Sequence, residues 1–232
     1  MPSRKLAERT PLTRDRVLRT AMELADRDGL DALTMRRLAD ELGVEAMSLY
    51  YHLPNKNAIL DGVIELTFSE IEAEVGGFAA PADKSWQPAL RARILDARRV
   101  LLRHPWVPPV MESRGALAPT MARYIDGVVG IMQAGGLSND LIHHAMHALG
   151  SRMYGFVQEM KVENDDSGMS GSDLAQMADF VPHLAAMLAE VVHDDPASTL
   201  GWCDDQTEFE FGLDLLLDGL EARRTTPHGT RP

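Results

Sequence analysis

The sequence has a single cysteine, Cys203. That excludes an intramolecular disulfide framework and any metal site built from several thiolates. Long apolar runs are missing as well. None reaches the roughly 18 residues that a membrane helix needs, so no membrane partner is expected. The N-terminus, Met1-Pro2-Ser3-Arg4-Lys5, is polar and basic with no apolar stretch behind it. That is not the pattern of a secretory signal, and a cytoplasmic location is the default expectation. Runs of β-branched residues with two-residue alternation are scarce, whereas Ala, Leu, Met, Arg and Glu dominate, so the chain reads as all-α. It carries no nucleophile elbow, phosphate loop or HExxH pattern. No catalytic residue and no cofactor is therefore expected, and the chain is not expected to be an enzyme.

What is present is acid, unevenly placed. The net charge of −12 is unusual for a DNA binder. Its distribution is informative: residues 1–60 carry ten Lys/Arg against nine Asp/Glu, and the remainder carries thirteen against twenty-six. Arg4, Lys5, Arg9, Arg14, Arg16 and Arg19 cluster near the start. A DNA-binding head on an acidic body fits this asymmetry, as does a merely solvated N-terminal tail.

Helical signals recur along the chain. The first helix is expected at about Arg14–Arg27, capped by Thr13 and closed by Gly29. A second, Met35–Leu42, is capped by Thr34, and Gly43 turns the chain into a short third helix near Glu45–His52. Pro54 stops that helix, and Asn55 caps a longer one from Lys56 to about Glu74. Gly76 to Lys84 reads as a linker. Further helices are expected near Trp86–Arg103, Pro119–Ala134, Asn139–Val162, Leu174–His193 and Thr207–Arg223. The stretch His104–Pro109 holds three prolines and cannot be a regular helix interior. Asn164–Ser172 reads as a loop and residues 225–232 as a disordered tail.

The decisive pattern is Leu33–Leu53. Leu38, Leu42, Val44, Leu49 and Leu53 can converge inward, Ala39 is small where two helices cross, and Gly43 supplies a turn that a Cβ would hinder. The scaffold leaves Arg36, Ser48, Tyr50, Tyr51 and His52 displayed on or beside a helix too short to be stable alone. Lys56 lies in a first helical turn, where the macrodipole disfavours cations. A lysine beside free backbone N–H groups is a phosphate clamp; otherwise it is an ordinary exposed lysine.

Leu42-Gly43-Val44, followed by Leu49-Tyr50-Tyr51-His52-Leu53 and Asn55-Lys56, resembles the signature of the TetR family of bacterial regulators. The likeness covers about Leu12–Gly62, and Glu208–Leu220 resembles the last helix of the family's C-terminal domain. The resemblance implies an N-terminal three-helix helix-turn-helix domain (residues 1–55) and a C-terminal helical domain (56–224) that dimerises and binds a small effector. It also implies roles by position. Arg36 would read a guanine edge, Ser48, Tyr50, Tyr51 and His52 would face bases and phosphates, and Lys56 would hold a phosphate. With Thr34, Ala46 and Met47 these form the expected DNA-binding set. Ala46 and Met47 replace the glutamine and proline of the family's namesake repressor, so a different operator is expected. The namesake's magnesium-coordinating histidine has no counterpart in Val110–Gly115, and magnesium–drug recognition is not carried over.

The expected partners are thus a double-stranded DNA operator, a small apolar effector and a second copy of the chain. Leu149, Phe156, Phe211 and Leu215 are candidates for the homodimer interface, or else for an intramolecular core. Trp106, Met111, Met121, Tyr124, His147, Tyr154, Met177 and Phe180 are candidates for effector contacts, since methionine adapts to varied ligands, or for plain core. His143, His144 and His147 invite a metal reading, but no third ligand is evident beside the pair that shares a helix face, and no metal is expected. The alternatives left open are a helical small-molecule-binding protein or a His-dependent metalloenzyme, neither with a DNA-binding role.

Overall fold

Helix caps and apolar stripes set the elements of the computed structural model, which describes residues 11–77, 85–114, 117–159, 180–190 and 205–225. Ten α-helices lie among them: α1 Arg14–Asp28, α2 Met35–Leu42, α3 Ala46–Tyr50, α4 Lys56–Glu74, α5 Trp86–Arg103, α6 Val107–Arg114, α7 Pro119–Ala134, α8 Asn139–Glu159, α9 Pro182–Glu190 and α10 Asp205–Thr225. A 3-10 turn, Leu30–Ala32, links α1 to α2. No strand occurs among the described residues. The expected loop Asn164–Ser172, most of the linker before Ser85 and the tail beyond Thr225 lie outside them.

The N-caps are those expected. Thr13, Thr34 and Asn55 each accept a hydrogen bond from the backbone N–H three residues on, at 3.2, 3.2 and 2.9 Å. Each satisfies an otherwise orphan donor, worth about 1 kcal/mol. Gly43 closes α2 in the left-handed region (φ 66°, ψ 36°). Its N–H bonds to Asp40 O at 3.1 Å and the next N–H, of Val44, to Ala39 O at 3.0 Å. This pair of bonds is a Schellman motif, so the turn of the helix-turn-helix is built by backbone alone.

The proline-rich stretch departs from expectation. The α5 helix stops at Arg103, but α6 starts as early as Val107, with Pro108 and Pro109 inside it. Prolines break helix interiors. In a first turn their missing N–H groups have no intrahelical partner to lose.

The chain divides into two compact units, Met1–Gly135 and Gly136–Pro232. In the first, α1 packs on α2 and α4, α2 on α3, and α4 on α5, α6 and α7. The helix α4 is the hub: Ile59, Val63, Ile64, Phe68 and Ile71 are all buried. Phe68 meets Tyr124 of α7 with ring centroids 5.7 Å apart and planes tilted by 60°, a favourable aromatic arrangement. At Gly62 α4 comes so close to α1 that a Cβ would lie 2.5 Å from Leu18 Cδ2. Trp86 of α5 lies against Gly135 in the same way. In the second unit α8 packs against α10.

Candidate DNA-reading surface

The reading elements separate into a buried scaffold and an exposed display. Val17, Leu18, Ala21, Leu24, Leu38, Ala39, Leu42, Leu49 and Leu53 are buried, and together they form the core under α1–α3. Val44, expected inside with them, is only half-buried. Leu49 is the one buried residue of α3. Around it Met47 is 71% exposed, Tyr50 44% and Tyr51 90%. Ala46, Ser48 and His52 are half-buried, and Thr34 and Arg36 are exposed. Five residues held by a single leucine gain almost no helical stability of their own, yet they present two large apolar or aromatic side chains to solvent.

Ion pairs join the first two helices. Arg27 donates to Glu41 through both terminal guanidinium nitrogens at 3.2 Å, and to Asp28 through Nε at 3.2 Å. These bonds, first from Glu41 and then Asp28, hold Arg27 above its ordinary value. Arg37 reaches Asp28 at 2.5 Å. These pairs tie α1 to α2. Arg36 and Lys56, by contrast, have no ion-pair or side-chain hydrogen-bond partner among the described residues. Lys56 opens α4, whose first turn carries no acid. Arg36 lies on α2, and Lys56 at a helix N-terminus, where backbone N–H groups favour anions.

The remaining expected site residues fall in both units. Trp106 and Met111 are buried at the start of α6 and within it; Tyr124 is buried and Met121 half-buried on α7. His147 is exposed on α8, and Phe180 is 88% exposed. The Tyr154 and Phe156 side chains and all of Met177 lie outside the described residues. His143 and His147 stack edge to face at 4.7 Å, but no group of three metal-ligating side chains occurs among the described residues. Leu149 lines a groove of 270 Å³ with Leu141, Leu215, Leu216 and Leu220, while Phe211 and Leu215 are 62% and 59% exposed.

Two buried cations escaped sequence reasoning. Arg93 and Arg98 sit on the buried face of α5, and burial lowers Arg93 from its ordinary value against the opposing pull of Tyr124 and Asp96. The signal was their helical register with Leu90, Ile94, Ala97 and Leu101.

Comparison with known proteins follows the same division. Residues 17–63 match the family described as bacterial regulatory proteins, tetR family, and residues 79–224 match the tetracyclin repressor-like C-terminal domain. The chain belongs to the TetR family. It is thus a helix-turn-helix transcriptional regulator and not an enzyme. The HTH-type transcriptional repressor DrrR1 of Streptomyces coeruleorubidus is 32% identical over 91% of this chain and 78% of that protein. The class C tetracycline repressor of Escherichia coli is 29% identical over 93% of each. The structure of the TetR family protein ActR of Streptomyces coelicolor in complex with actinorhodin superposes with a TM-score of 0.68 at 28% identity, covering 94% of this chain and all of that one. No described helix of this TetR family member is long and apolar enough to cross a membrane.

Proposed function

We propose that this TetR family protein is a dimeric repressor that binds a palindromic operator and is released from it by a small apolar effector. The observation that carries the reading is α3. Its one buried residue, Leu49, fixes a five-residue helix whose other large side chains face solvent, and Arg36 and Lys56 on the flanking helices have no ion-pair partner among the described residues. Thr34, Arg36, Ala46, Met47, Ser48, Tyr50, Tyr51, His52 and Lys56 are assigned to DNA. Arg36 supplies a planar donor pair suited to a guanine edge, and Ala46 offers only a methyl, suited to thymine. Lys56 takes a phosphate.

Division of labour follows from this: residues 1–55, with Lys56 at the boundary, read DNA, and 56–224 carry dimerisation and the effector response. Exposed Phe211 and Leu215, one turn apart on α10 beside the Leu149 groove, suit a self-complementary interface. A single head reaches one half-site, whereas a dimer reaches two. Trp106, Met111, Met121 and Tyr124 are assigned to the effector, and the capture of actinorhodin by ActR supports a ligand of that general kind. Release is a population shift: a ligand that prefers the pose with the heads wrongly spaced weakens operator binding in proportion to that preference.

The test is selection of duplexes from a random pool by the full chain, followed by gel shifts across a salt series. The expected result is enrichment of a two-fold symmetric sequence. Arg36→Ala and Tyr50→Ala should each weaken its binding by about 1–3 kcal/mol with unchanged thermal midpoint. No enrichment at low salt, or unchanged binding by both variants, refutes the assignment.

A further inference from the structure

The corner between α5 and α6 carries a polar cluster that the reading surface does not use. His104 and Trp106 are buried there, 7% and 5% exposed. The Trp106 Nε1–H donates to Asp26 Oδ1 at 2.7 Å. His104 Nδ1 lies 2.8 and 2.9 Å from the two oxygens of the same carboxylate, and Nε2 lies 3.3 Å from Glu70 Oε2. An ionised carboxylate only accepts, so the imidazole is the donor toward Asp26. Arg103 of α5 approaches Glu70 at 3.6 Å, and Arg19 of α1 feels Glu70 through space.

Asp26 belongs to α1 and Glu70 to α4. The corner thus holds α1 through charge-assisted bonds of the strong class, and α4 through the Arg103–Glu70 ion pair beside the His104 ring. Apolar packing alone would join these helices, but it is not directional. Bonds to both oxygens of one carboxylate fix the angle at which α1 is held. From α1 that angle passes to α2 and from α2 to α3 by direct packing.

We propose that Asp26, His104 and Trp106 are positioning residues: they set the attitude of the reading head, and through it the fit of two recognition helices to two half-sites. The inference rests on the DNA-reading function proposed above.

The probes are the two-half-site duplex recovered by the wild-type chain from a random pool, and the same duplex cut to one half-site. Asp26→Asn keeps the side-chain shape and removes the charge; Trp106→Phe keeps an aromatic ring and removes the N–H. Each should lower affinity for the two-half-site duplex about tenfold while leaving the single half-site within about twofold, and the double variant should lose little more than the worse single one. Arg36→Ala, by contrast, should weaken both duplexes. Equal loss on both duplexes by the corner variants means general damage to the head and overturns the proposal, as does additivity or no loss at all. Should Asp26→Asn not fold, Trp106→Phe alone decides. If the wild-type chain enriches no duplex, the DNA-reading function falls and takes this inference with it. If it does and the corner variants match it, only the inference falls.

Discussion

Gly62→Ala sets helix propensity against packing, and the structure decides which prevails. Gly62 is inside α4, and alanine in place of glycine in a helix interior gains about 1 kcal/mol. A Cβ at this position, however, would lie 2.5 and 2.8 Å from the two Cδ atoms of Leu18 and 3.2 Å from Arg14 Nη2. Leu18 is buried in the head core and cannot turn its branch outward without surrendering burial worth about 1.5–3 kcal/mol. Overpacking of this kind typically destabilises by about 1–3 kcal/mol. The balance is a net loss of about 1 kcal/mol, or about 2–4 °C in thermal midpoint for a chain of this length. Leu18→Ala alone should destabilise by about 2–5 kcal/mol. In the Gly62→Ala background it should do so by about 1 kcal/mol less, because the new methyl occupies space that the leucine vacates. Thermal denaturation of the four proteins measures the cycle. If Gly62→Ala raises the midpoint by the full propensity gain, or if the two substitutions are additive, the close crossing of α1 and α4 is refuted.

The other predictions separate scaffold from display and test the dimer. Leu49→Ala should cost about 2–5 kcal/mol of stability, whereas Tyr51→Ala should stay within about 0.5 kcal/mol of wild type in denaturation and still weaken operator binding in gel shifts. Phe211→Glu with Leu215→Glu should convert the proposed dimer to monomer in sedimentation at micromolar concentration, because burying two carboxylates in an apolar interface is prohibitive. A dimer that persists in the double variant places the interface elsewhere.

Much of the reading head was legible because its signals are local. A cap acts on a donor three residues away, and a left-handed glycine acts on the turn it sits in. Thr34, Gly43 and Asn55 could therefore be assigned from neighbours in sequence. The apolar spacing of Leu38, Leu42, Leu49 and Leu53 located the core under the helix-turn-helix for the same reason. Locality was also incomplete. His104–Pro109 could not be a helix interior, and the structure keeps Pro108 and Pro109 out of one by placing them in the first turn of α6, a helix the local pattern did not announce. For the effector candidates, composition does not state which elements meet: Tyr124 packs on Phe68, while Phe180 is exposed.

The sequence by itself determined the helical class, the caps and the helix-turn-helix with its displayed α3, since each depends on contacts within a few residues. Only the tertiary structure decided that Asp26 meets His104 and Trp106, 78 and 80 residues away, that Gly62 is a crossing point, and that Arg27 and Arg37 are paired with carboxylates while Arg36 and Lys56 have no such partner among the described residues. A charge or a small residue has the same local preferences whatever lies across from it. Its role is fixed by the group that folding brings against it, and no short-range pattern carries that information.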